Sequence, residues 1–396
     1  RPFLVWLDSR AENEAQALRS VLDNETFYKT TGLPEVTGAL PLAKLLWLRK
    51  HEPDTFARAH KLLLLEDYLL HWLTGRFVSE KSLQTSTGWF DLHSDGLWHS
   101  GLAAAGASAE LLPELLECGA PAGSLLPGPA AELGLPPNIP VVAGAMDQTA
   151  AALAAGCTRP GTVTETTGTA LVMAACTDAP MFRSGHHVTV YRHALPGKHL
   201  YLPIGNTAGM ALRWFRDEFC RDLPAGAAGY AALDALVQSV PCGCDGLAFL
   251  PFLSGSVDPD ACPEARAVFF GARLSTTRAH FARSVMESVA FLLRDFFGML
   301  NALGCPADTV YSLGGGARSA VWQQITFRVP ACSEATAMGA ALLAGWGSGL
   351  IAPGVFPCRG ESAVYLPDNA RAPAYDTAYS LYKKLYSAVK PLYNAF

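Results

Sequence analysis

Asp147 is the only acidic residue in the stretch GAMDQTAAALAAG (144–156), where it stands between an apolar run and an alanine-rich helical pattern. Burying an ionised carboxylate costs several kcal/mol unless the group is paired, hydrogen-bonded or used in chemistry. Aspartate is also a preferred N-cap, so Asp147 could simply cap a helix that starts at Gln148. This stretch alone leaves a chemical role and a capping role equally open.

Two glycine-containing turns have the composition of phosphate-binding loops. In TTGTAL (166–171), Gly168 lets the backbone come close to a ligand, and Thr167 and Thr169 place hydroxyls beside N–H groups. LGGGARS (313–319) follows a strand pattern and precedes a helix pattern, so its N–H groups and the helix dipole could face a nucleotide. The plain alternatives are a β-hairpin turn and an ordinary tight turn. Neither stretch is a Walker A sequence, and no kinase-type H-R-D motif occurs in the chain.

The composition excludes several classes of protein. The 396 residues suggest two domains, and a chain that is 50% hydrophobic and 16% charged can bury a large core. A net charge of -5 without a Lys/Arg-rich run argues against nucleic-acid binding. We find no apolar run long enough to span a membrane. The ten cysteines form no CxxC pair, which favours reduced thiols in the cytoplasm over disulfides or zinc.

The pattern along the chain predicts repeated strand–loop–helix units. Residues 3–7 are expected to form a strand that leads into a helix, and the helical pattern that starts at Lys61 should end at Gly75. GTVTETTGTALVMAA (161–175) predicts strand, turn and strand. ARSVMESVAFLLRDFFGML (282–300) predicts a long amphipathic helix. Such units indicate an α/β fold with ligand loops at strand ends, and the change of character near Gly156 indicates a domain boundary.

The succession of motifs is more specific than any one of them. In chain order they are LVWLDSRA, KLLWLRKHEPDTF, DYLLHWLTGRFVSEKSLQTSTGWFDL, GAMDQTAAALAAG, TETTGTAL, TAGMALRWFRDEF, LPFLSG, ESVAFLLRD, LGGGARSAVWQQI and EATAMGAALLA. This order resembles the FGGY family of carbohydrate kinases along nearly the whole chain, and the likeness is greatest to xylulokinases. The resemblance implies a two-domain actin-like, hexokinase-like (ribonuclease H-like) α/β ATPase fold with an interdomain cleft. It implies an N-terminal domain at 1–156 and an ATP-binding C-terminal domain at 157–396.

The resemblance also implies roles for the residues noted above. Asp147 matches the base that takes the proton of the attacking sugar hydroxyl, and the same carboxylate would help to hold Mg²⁺. Gln148 would lie next to the sugar. One oxygen of Asp147 could still cap the helix while the other faces the cleft.

The nucleotide would be held by loops of the C-terminal domain. Gly168 and Thr169 match the turn around the β- and γ-phosphates, and Gly209 matches a glycine near the α- and β-phosphates. Arg213, one helical turn further on, would approach the phosphates or the ribose, although an arginine on a helix surface is usually just solvated. Gly315, Gly316 and Ser319 match the adenosine loop.

Three other charged residues have weaker claims to the site. Glu165 could be a second acid near the metal, but its place before the turn favours a side chain that faces away. Asp8 and Arg10 match a family motif, and an ion pair within the domain explains them equally well.

Two departures from the family pattern stand out. Family members carry a strand, a D-x-G-T-[ST] phosphate loop and a sugar-contacting segment before the position of Arg1, so we expect such segments to be missing from this chain. WQQITFRVPACSEATAMG (322–339) is also shorter than its family counterpart. A true lack of the first phosphate loop would remove an aspartate near Mg²⁺.

Together these features predict a cytoplasmic ATP-dependent kinase for a ketose, most simply a pentulose such as xylulose. Its partners would be the sugar and ATP, with no nucleic acid and no membrane, and a homodimer is compatible with the resemblance. The alternatives are a kinase for glycerol, erythritol or ribulose, and a catalytically dead sugar-binding protein. If the sugar and the γ-phosphate are held by different domains, reaction requires closure at a hinge near Gly156.

Overall fold

The computed structural model describes residues 3–183, 187–323, 334–356, 365–366 and 368–395. The chain divides into two compact units, each built from several segments. The first unit comprises Arg1–Arg159, Cys176–Tyr201 and Glu334–Cys358, and the second comprises Pro160–Ala175, Leu202–Ser333 and Arg359–Phe396.

The α-helices of the described residues range from single turns to helices of 22 and 25 residues. They are α1 (Glu12–Arg19), α2 (Asn24–Thr31), α3 (Pro41–His51), α4 (Pro53–Ala57), α5 (Leu65–Thr74), α6 (Lys81–Gln84), α7 (His99–Ala104), α8 (Pro127–Leu133), α9 (Asp147–Ala155), α10 (Gly209–Phe219), α11 (Gly226–Gln238), α12 (Arg278–Ala302), α13 (Ala320–Gln323), α14 (Ala335–Gly347) and α15 (Ala372–Tyr393).

The strands are short. They are β1 (Val78–Glu80), β2 (Phe90–Asp91), β3 (Gly96–Leu97), β4 (Glu114–Leu116), β5 (Pro121–Ser124), β6 (Pro140–Val142), β7 (Thr162–Thr167), β8 (Leu171–Thr177), β9 (Val190–Arg192), β10 (His199–Tyr201), β11 (Ile204–Gly205), β12 (Ala248–Leu250), β13 (Val268–Phe270) and β14 (Thr309–Leu313).

The first unit combines helices with two-stranded ladders. β1 pairs with β4 in parallel, whereas β5 with β6 and β9 with β10 are antiparallel. Its main core gathers apolar side chains of α1, α2 and α3 around the fully buried Trp89. Local signals place the helix ends, since Asp23 accepts the Thr26 N–H at the start of α2, and Gly75 ends α5 in the left-handed conformation (φ +76°) as the sequence predicts.

The predicted strand at residues 3–7 is wrong. Residues 3–5 have no regular structure and residues 6–7 form a turn, and Val5, Trp6 and Leu7 are 61%, 78% and 68% exposed. A strand exists only when its backbone groups pair with a neighbour, and no ladder includes these residues in the part of the chain that the structure describes. Here the Val5 carbonyl instead accepts a hydrogen bond from Lys44 Nζ at 2.8 Å.

The second unit contains the predicted strand–turn–strand. β7 and β8 are antiparallel with Val163 opposite Ala175, and β14 is parallel to β7 with Val310 opposite Val163. β11 pairs antiparallel with β8. The long helix predicted at 282–300 is confirmed as part of α12, and α15 packs with β12 in a separate apolar cluster.

In the first unit, α9 and α14 come so close that their backbones touch. A Cβ built on Gly339 of α14 would lie 2.0 Å from the carbonyl oxygen of Ala150 in α9. The small residues of EATAMGAALLA therefore permit this close packing, because a side chain at Gly339 would overlap the backbone of α9. The first residue of α9 is Asp147, so this crossing also determines where Asp147 lies.

We expect Gly339→Ala to destabilise the protein by about 1–3 kcal/mol, because the added methyl overlaps the backbone of α9. Gly298→Ala is the matched control: Gly298 is an exposed interior position of α12 with no atom within 4 Å of an added Cβ. That change should stabilise the protein by about 0.5–1 kcal/mol. Denaturant unfolding of both variants checks the pair, and a Gly339→Ala protein as stable as the wild type would refute the close crossing.

Candidate active site

Asp147 lies one position further into its helix than the capping interpretation predicts. Met146 is the N-cap of α9, and Asp147 is the first helical residue rather than the cap of a helix that starts at Gln148. Its Oδ1 accepts the backbone N–H of Gln148 at 2.8 Å. The side chain is exposed, so it pays no burial cost, and the positive end of the helix dipole stabilises its charge. Gln148 is half-buried in the same turn.

The backbone just before Asp147 is held by α6. The Met146 N–H donates to Ser82 Oγ at 3.0 Å, and Ser82 is fully buried. Glu80 in turn caps α6, with its carboxylate oxygens accepting from the N–H groups of Ser82 and Leu83 at 2.5 and 2.6 Å. Sequence reasoning did not select Ser82 or Glu80, because glutamate is not among the residues preferred at an N-cap and Ser82 lies inside the helix.

Buried carboxyl groups lie beneath the same segment. Burial raises the pKa of Glu66 to about 8, with the charges of Glu80 and Asp67 adding to the effect, and the Gly144 N–H donates to this carboxyl. Burial also raises the pKa of Asp67 to about 6 and raises that of Glu80. The Oδ1 atom of Asp67 has no hydrogen-bond partner among the described residues. An acid pair inside the apolar run LLLLEDYLL is the sequence signal that could have indicated this cluster.

Tyr191 of β9 is an electrostatic neighbour of Asp147. Burial raises the pKa of Tyr191 to about 12, and the negative charge of Asp147 acts in the same direction. The phenol therefore stays neutral and able to donate or accept a hydrogen bond beside the candidate base. No motif in the sequence singles out this tyrosine.

The turn that joins β7 and β8 is both a hairpin turn and an open surface. The Gly168 N–H donates to the Ala170 carbonyl at 3.0 Å, and Thr169 is exposed. A Cβ built on Gly168 would meet nothing within 4 Å. The plain hairpin interpretation is therefore right about the backbone, and the exposed face of the turn has room for a ligand.

The start of α10 lies directly against this turn. Gly209 is the first residue of α10, and a Cβ there would lie 2.4 Å from the Gly168 carbonyl oxygen. The Thr169 carbonyl accepts the N–H groups of Ala208 and Met210 at 3.0 and 3.3 Å. Arg213, one turn later, is 67% exposed, and its Nε lies 3.6 Å from Asp217 on the helix surface.

The glycine loop after β14 packs on the other side of Thr167. Gly314 adopts a left-handed backbone (φ +80°), and Gly315 is exposed, with only the Thr167 carbonyl oxygen near its Cβ position, at 3.9 Å. Gly316 is buried, and a Cβ there would lie 2.7 Å from Thr167 Cβ. The space at Gly316 is thus taken by the hairpin, whereas the open face of the loop is at Gly315.

Ser319 has a structural task in this loop. Its Oγ donates to Asp234 Oδ1 at 2.8 Å and accepts the Trp322 N–H at 3.1 Å at the start of α13. The second unit therefore brings Gly168, Thr169, Gly209, Gly315 and Gly316 together around Thr167. Ser319 is held by partners within the loop and α11, and Arg213 lies on the surface of α10.

The remaining charged candidates have partners within their own units. Asp8 and Arg10 form an ion pair, with Arg10 Nη2 2.7 Å from Asp8 Oδ2, and the Arg10 guanidinium lies over Trp47. Glu165 is buried and faces into the second unit. The shortened stretch 322–339 largely coincides with residues 324–333, which lie outside the described residues.

The exposed Asp147 carboxylate is the candidate metal ligand among the described residues. No group of three or more His, Cys, Asp or Glu side chains suited to a metal occurs within the described ranges. Mg²⁺ in nucleotide sites commonly takes one or two carboxylates and completes its shell with water and phosphate oxygens. The exposed carboxylate of Asp147 fits that requirement. In addition, no described helix is both long and apolar enough to cross a membrane.

Comparisons with known proteins identify the family of the chain. The model of the FGGY family of carbohydrate kinases, N-terminal domain, matches residues 1–154, and that of the C-terminal domain matches residues 163–348. The chain is 30% identical to the xylulose kinase of Escherichia coli K12, over 99% of this chain and 81% of that protein. It is 28% identical to the gluconokinase of Bacillus subtilis 168, over 88% of this chain and 70% of that protein.

Solved structures give the same result. The crystal structure of xylulose kinase from Rhodospirillum rubrum matches with a TM-score of 0.89 at 31% identity, covering 100% of this chain and 81% of that one. Gluconate kinase from Lactobacillus acidophilus shares the fold, with a TM-score of 0.88 at 22% identity over 99% of this chain and 80% of that one.

The two-domain α/β fold and these relatives define a sugar phosphotransferase. The chain belongs to the FGGY family of carbohydrate kinases, a family that implies ATP as the phosphate donor. The expected family and fold class are thereby confirmed. The predicted domain boundary at Gly156 falls between the two family-model matches and stays a prediction.

The buried acids give a test of the first unit. The pKa of Glu66 is raised in the folded state, so the fold favours its protonated form, and the stability that this contributes is lost as the pH rises from about 4.5 through about 8. We expect the unfolding midpoint of Glu66→Gln to depend less on pH over this range than that of the wild type. At the alkaline end of the range, the Glu66→Gln protein should be more stable than the wild type.

The exposed Glu132 supplies the control, since Glu132→Gln should keep the wild-type dependence on pH. Denaturant unfolding at several pH values measures all three proteins. Parallel curves for the wild type and Glu66→Gln would show that Glu66 does not hold a proton in the fold.

Proposed function

We propose that this FGGY kinase transfers the γ-phosphate of ATP to a hydroxyl of a ketose, with xylulose as the expected substrate. The observation that carries the proposal is the exposed Asp147 carboxylate at the first turn of α9, fixed through Met146 and Ser82. Phosphoryl transfer needs chiefly positioning, charge neutralisation and one group that orients the nucleophile. An exposed, well-held carboxylate suits the last of these tasks.

Asp147 would accept the proton of the attacking hydroxyl, and Gln148 would contact the sugar. The charge of Asp147 helps to raise the pKa of Tyr191, and the neutral Tyr191 phenol would hydrogen-bond to the same substrate. Mg²⁺, when bound through Asp147 and water, would neutralise charge on the phosphates.

The nucleotide would lie along the exposed backbone around Thr167. The exposed Thr169, the N-terminus of α10 at Gly209 and the exposed Gly315 offer N–H groups of the kind that bind phosphate. Gly168 would leave room for the phosphates, because its own N–H donates to the Ala170 carbonyl. Gly316, which packs against Thr167, and Ser319, which bonds to Asp234 and Trp322, would hold the backbone of this loop in place. Arg213 would contribute a positive charge, since a surface ion pair such as that with Asp217 is worth only about 0–1 kcal/mol and can yield to a phosphate.

A neutral sugar is favoured over a sugar acid by the charges of the first unit. Lys81 and Arg192 adjoin Ser82 and Tyr191 in the chain, and both form ion pairs with Asp95 and Glu117. Their charge is therefore already balanced, whereas a carboxylate substrate such as gluconate would bring a second negative charge near Asp147. In sequence, xylulose kinases align over 99–100% of this chain at 29–30% identity, and the gluconokinase of Bacillus subtilis 168 aligns over 88% at 28% identity.

The first experiment is a panel of xylulose, ribulose, erythritol, glycerol and gluconate with coupled detection of ADP. We expect the highest kcat/KM with xylulose. The best rate with gluconate would overturn the choice of substrate. Sugar binding without turnover on any member of the panel would favour a catalytically dead sugar-binding protein.

We expect Asp147→Asn to lower kcat by about 10²- to 10⁴-fold while nucleotide binding is kept, because the amide oxygen can still accept the Gln148 N–H but cannot take a proton. Asp54→Asn, at an exposed first-turn position of α4, is the matched control and should turn over normally. A kcat above about a tenth of the wild-type value in Asp147→Asn would exclude Asp147 as the base.

We expect Gly315→Val to raise the KM for ATP about tenfold or more with an unchanged unfolding midpoint, because its side chain projects from the exposed face of the loop. Gly316→Val should instead destabilise the protein, because its side chain would overlap Thr167. Steady-state kinetics and thermal unfolding separate the two effects. An unaltered KM for ATP in folded Gly315→Val would remove this loop from the nucleotide site.

A further inference from the structure

Glu165 is a buried acid that joins two strands of the second unit. It is 2% exposed and lies directly opposite Ser312 in the parallel pairing of β7 with β14. One carboxylate oxygen accepts the hydroxyl of Thr167, and the other accepts the hydroxyl of Ser312 at 2.7 Å. The carboxylate thus spans from the end of β7 to the end of β14, immediately below both candidate nucleotide loops.

The hydrogen bonds continue into the glycine loop. Gln323 of α13 donates from Nε2 to Ser312 Oγ at 2.9 Å and to the Gly316 carbonyl at 3.2 Å. Its Oε1 is buried and has no partner within the part of the chain that the structure describes. Thr167, Gly316, Trp322 and Gln323 line a small cavity beside Glu165, closed on the far side by apolar residues of α12. Every lining side chain other than Glu165 is uncharged.

Thr167 is the point where the two loops meet. The Gly168–Thr169 turn follows Thr167 directly. A Cβ built on Gly314 would lie 2.9 Å from the carbonyl oxygen of Thr167, and a Cβ built on Gly316 would lie 2.7 Å from the Cβ of Thr167. A rotation of the Thr167 side chain would therefore push on the glycine loop. The hydrogen bond from the Thr167 hydroxyl to Glu165 favours the present rotamer of Thr167.

We propose that Glu165 is a positioning residue for the nucleotide, which in its ionised form fixes Thr167 and Ser312 and so keeps the Gly168–Thr169 turn and the Gly314–Gly316 loop at one spacing. The inference rests on the proposed function of these two loops. It requires no contact between Glu165 and the nucleotide.

The ionised form matters because both oxygens of Glu165 accept hydrogen bonds. A protonated carboxyl would have to donate one hydrogen, and the hydroxyl of Thr167 or Ser312 would then lose its acceptor inside the core. Burial raises the pKa of Glu165 to about 7. The carboxylate fraction therefore falls as the pH drops through about 7, and nucleotide binding should weaken over the same range.

The test measures the Kd of a non-hydrolysable ATP analogue by calorimetry for full-length wild type, Glu165→Gln and Thr167→Val. Valine keeps the branched shape of threonine and removes the hydroxyl. At about pH 8 we expect both variants to raise the Kd roughly tenfold, with the KM for sugar within about twofold of the wild type. From about pH 8 to pH 6 the wild-type Kd should rise several-fold more than that of Glu165→Gln. The phosphates of the analogue titrate in both proteins, so the ratio of the two Kd values cancels that effect.

Glu287→Gln is the matched control. Glu287 is a buried acid on α12 that pairs with Arg283 at 2.7 Å, so its loss should lower stability and leave the nucleotide Kd within about twofold. If the wild type does not bind the analogue, the proposed function fails. If the wild type binds and Glu165→Gln and Thr167→Val bind equally well, the inference fails. The inference also fails if the KM for sugar and the Kd for the ATP analogue both rise in Glu165→Gln as its stability falls. If Glu165→Gln does not fold, the Kd values of Ser312→Ala and Thr167→Val decide the question instead.

Discussion

Backbone contacts that leave no space for a side chain determine where the candidate residues of both units lie. In the first unit, Gly339 and Gly347 of α14 would place a Cβ 2.0 Å from the Ala150 carbonyl and 2.2 Å from the Gly119 carbonyl. In the second unit, a Cβ built on Gly209 would lie 2.4 Å from the carbonyl oxygen of Gly168. Such contacts hold backbone against backbone, which is more rigid than contact through side chains with several rotamers. Asp147 and the Gly168–Thr169 turn are thereby positioned before any ligand arrives.

Buried acids provide a second level of support, at a cost in stability. Glu66 and Glu80 lie below the backbone that leads to Asp147, and Glu165 lies below the two glycine-containing loops. Each has a pKa raised by burial, which means that the fold disfavours its charge. Against that cost, Glu80 accepts the N–H groups of Ser82 and Leu83, and Glu165 accepts two hydroxyl groups, so both buried acids make hydrogen bonds that suit a carboxylate.

Local sequence signals predicted the elements whose stability is local. The β7–β8 hairpin, the end of α5 at Gly75 and the span of α12 all follow from turn residues and periodicity. The strand expected at residues 3–7 failed because strand formation needs a partner that periodicity does not reveal. For the same reason the inward role of Gly316 and the partners of Ser319 and Glu165 could not be predicted from the sequence. They depend on which strands meet at Thr167.

The position of Asp147 in the structure differs from the premise that first drew attention to it. The sequence argument began from the cost of burying a carboxylate, yet Asp147 is exposed and its charge is stabilised by the helix dipole. The groups that bear the burial cost are instead Glu66, Asp67 and Glu80 beneath it. The candidate base therefore stays open to solvent and ligand, while the buried carboxyl groups lie below the backbone that leads to it. Separating the exposed carboxylate from the buried groups lets the same short region combine an accessible side chain with a firmly held backbone.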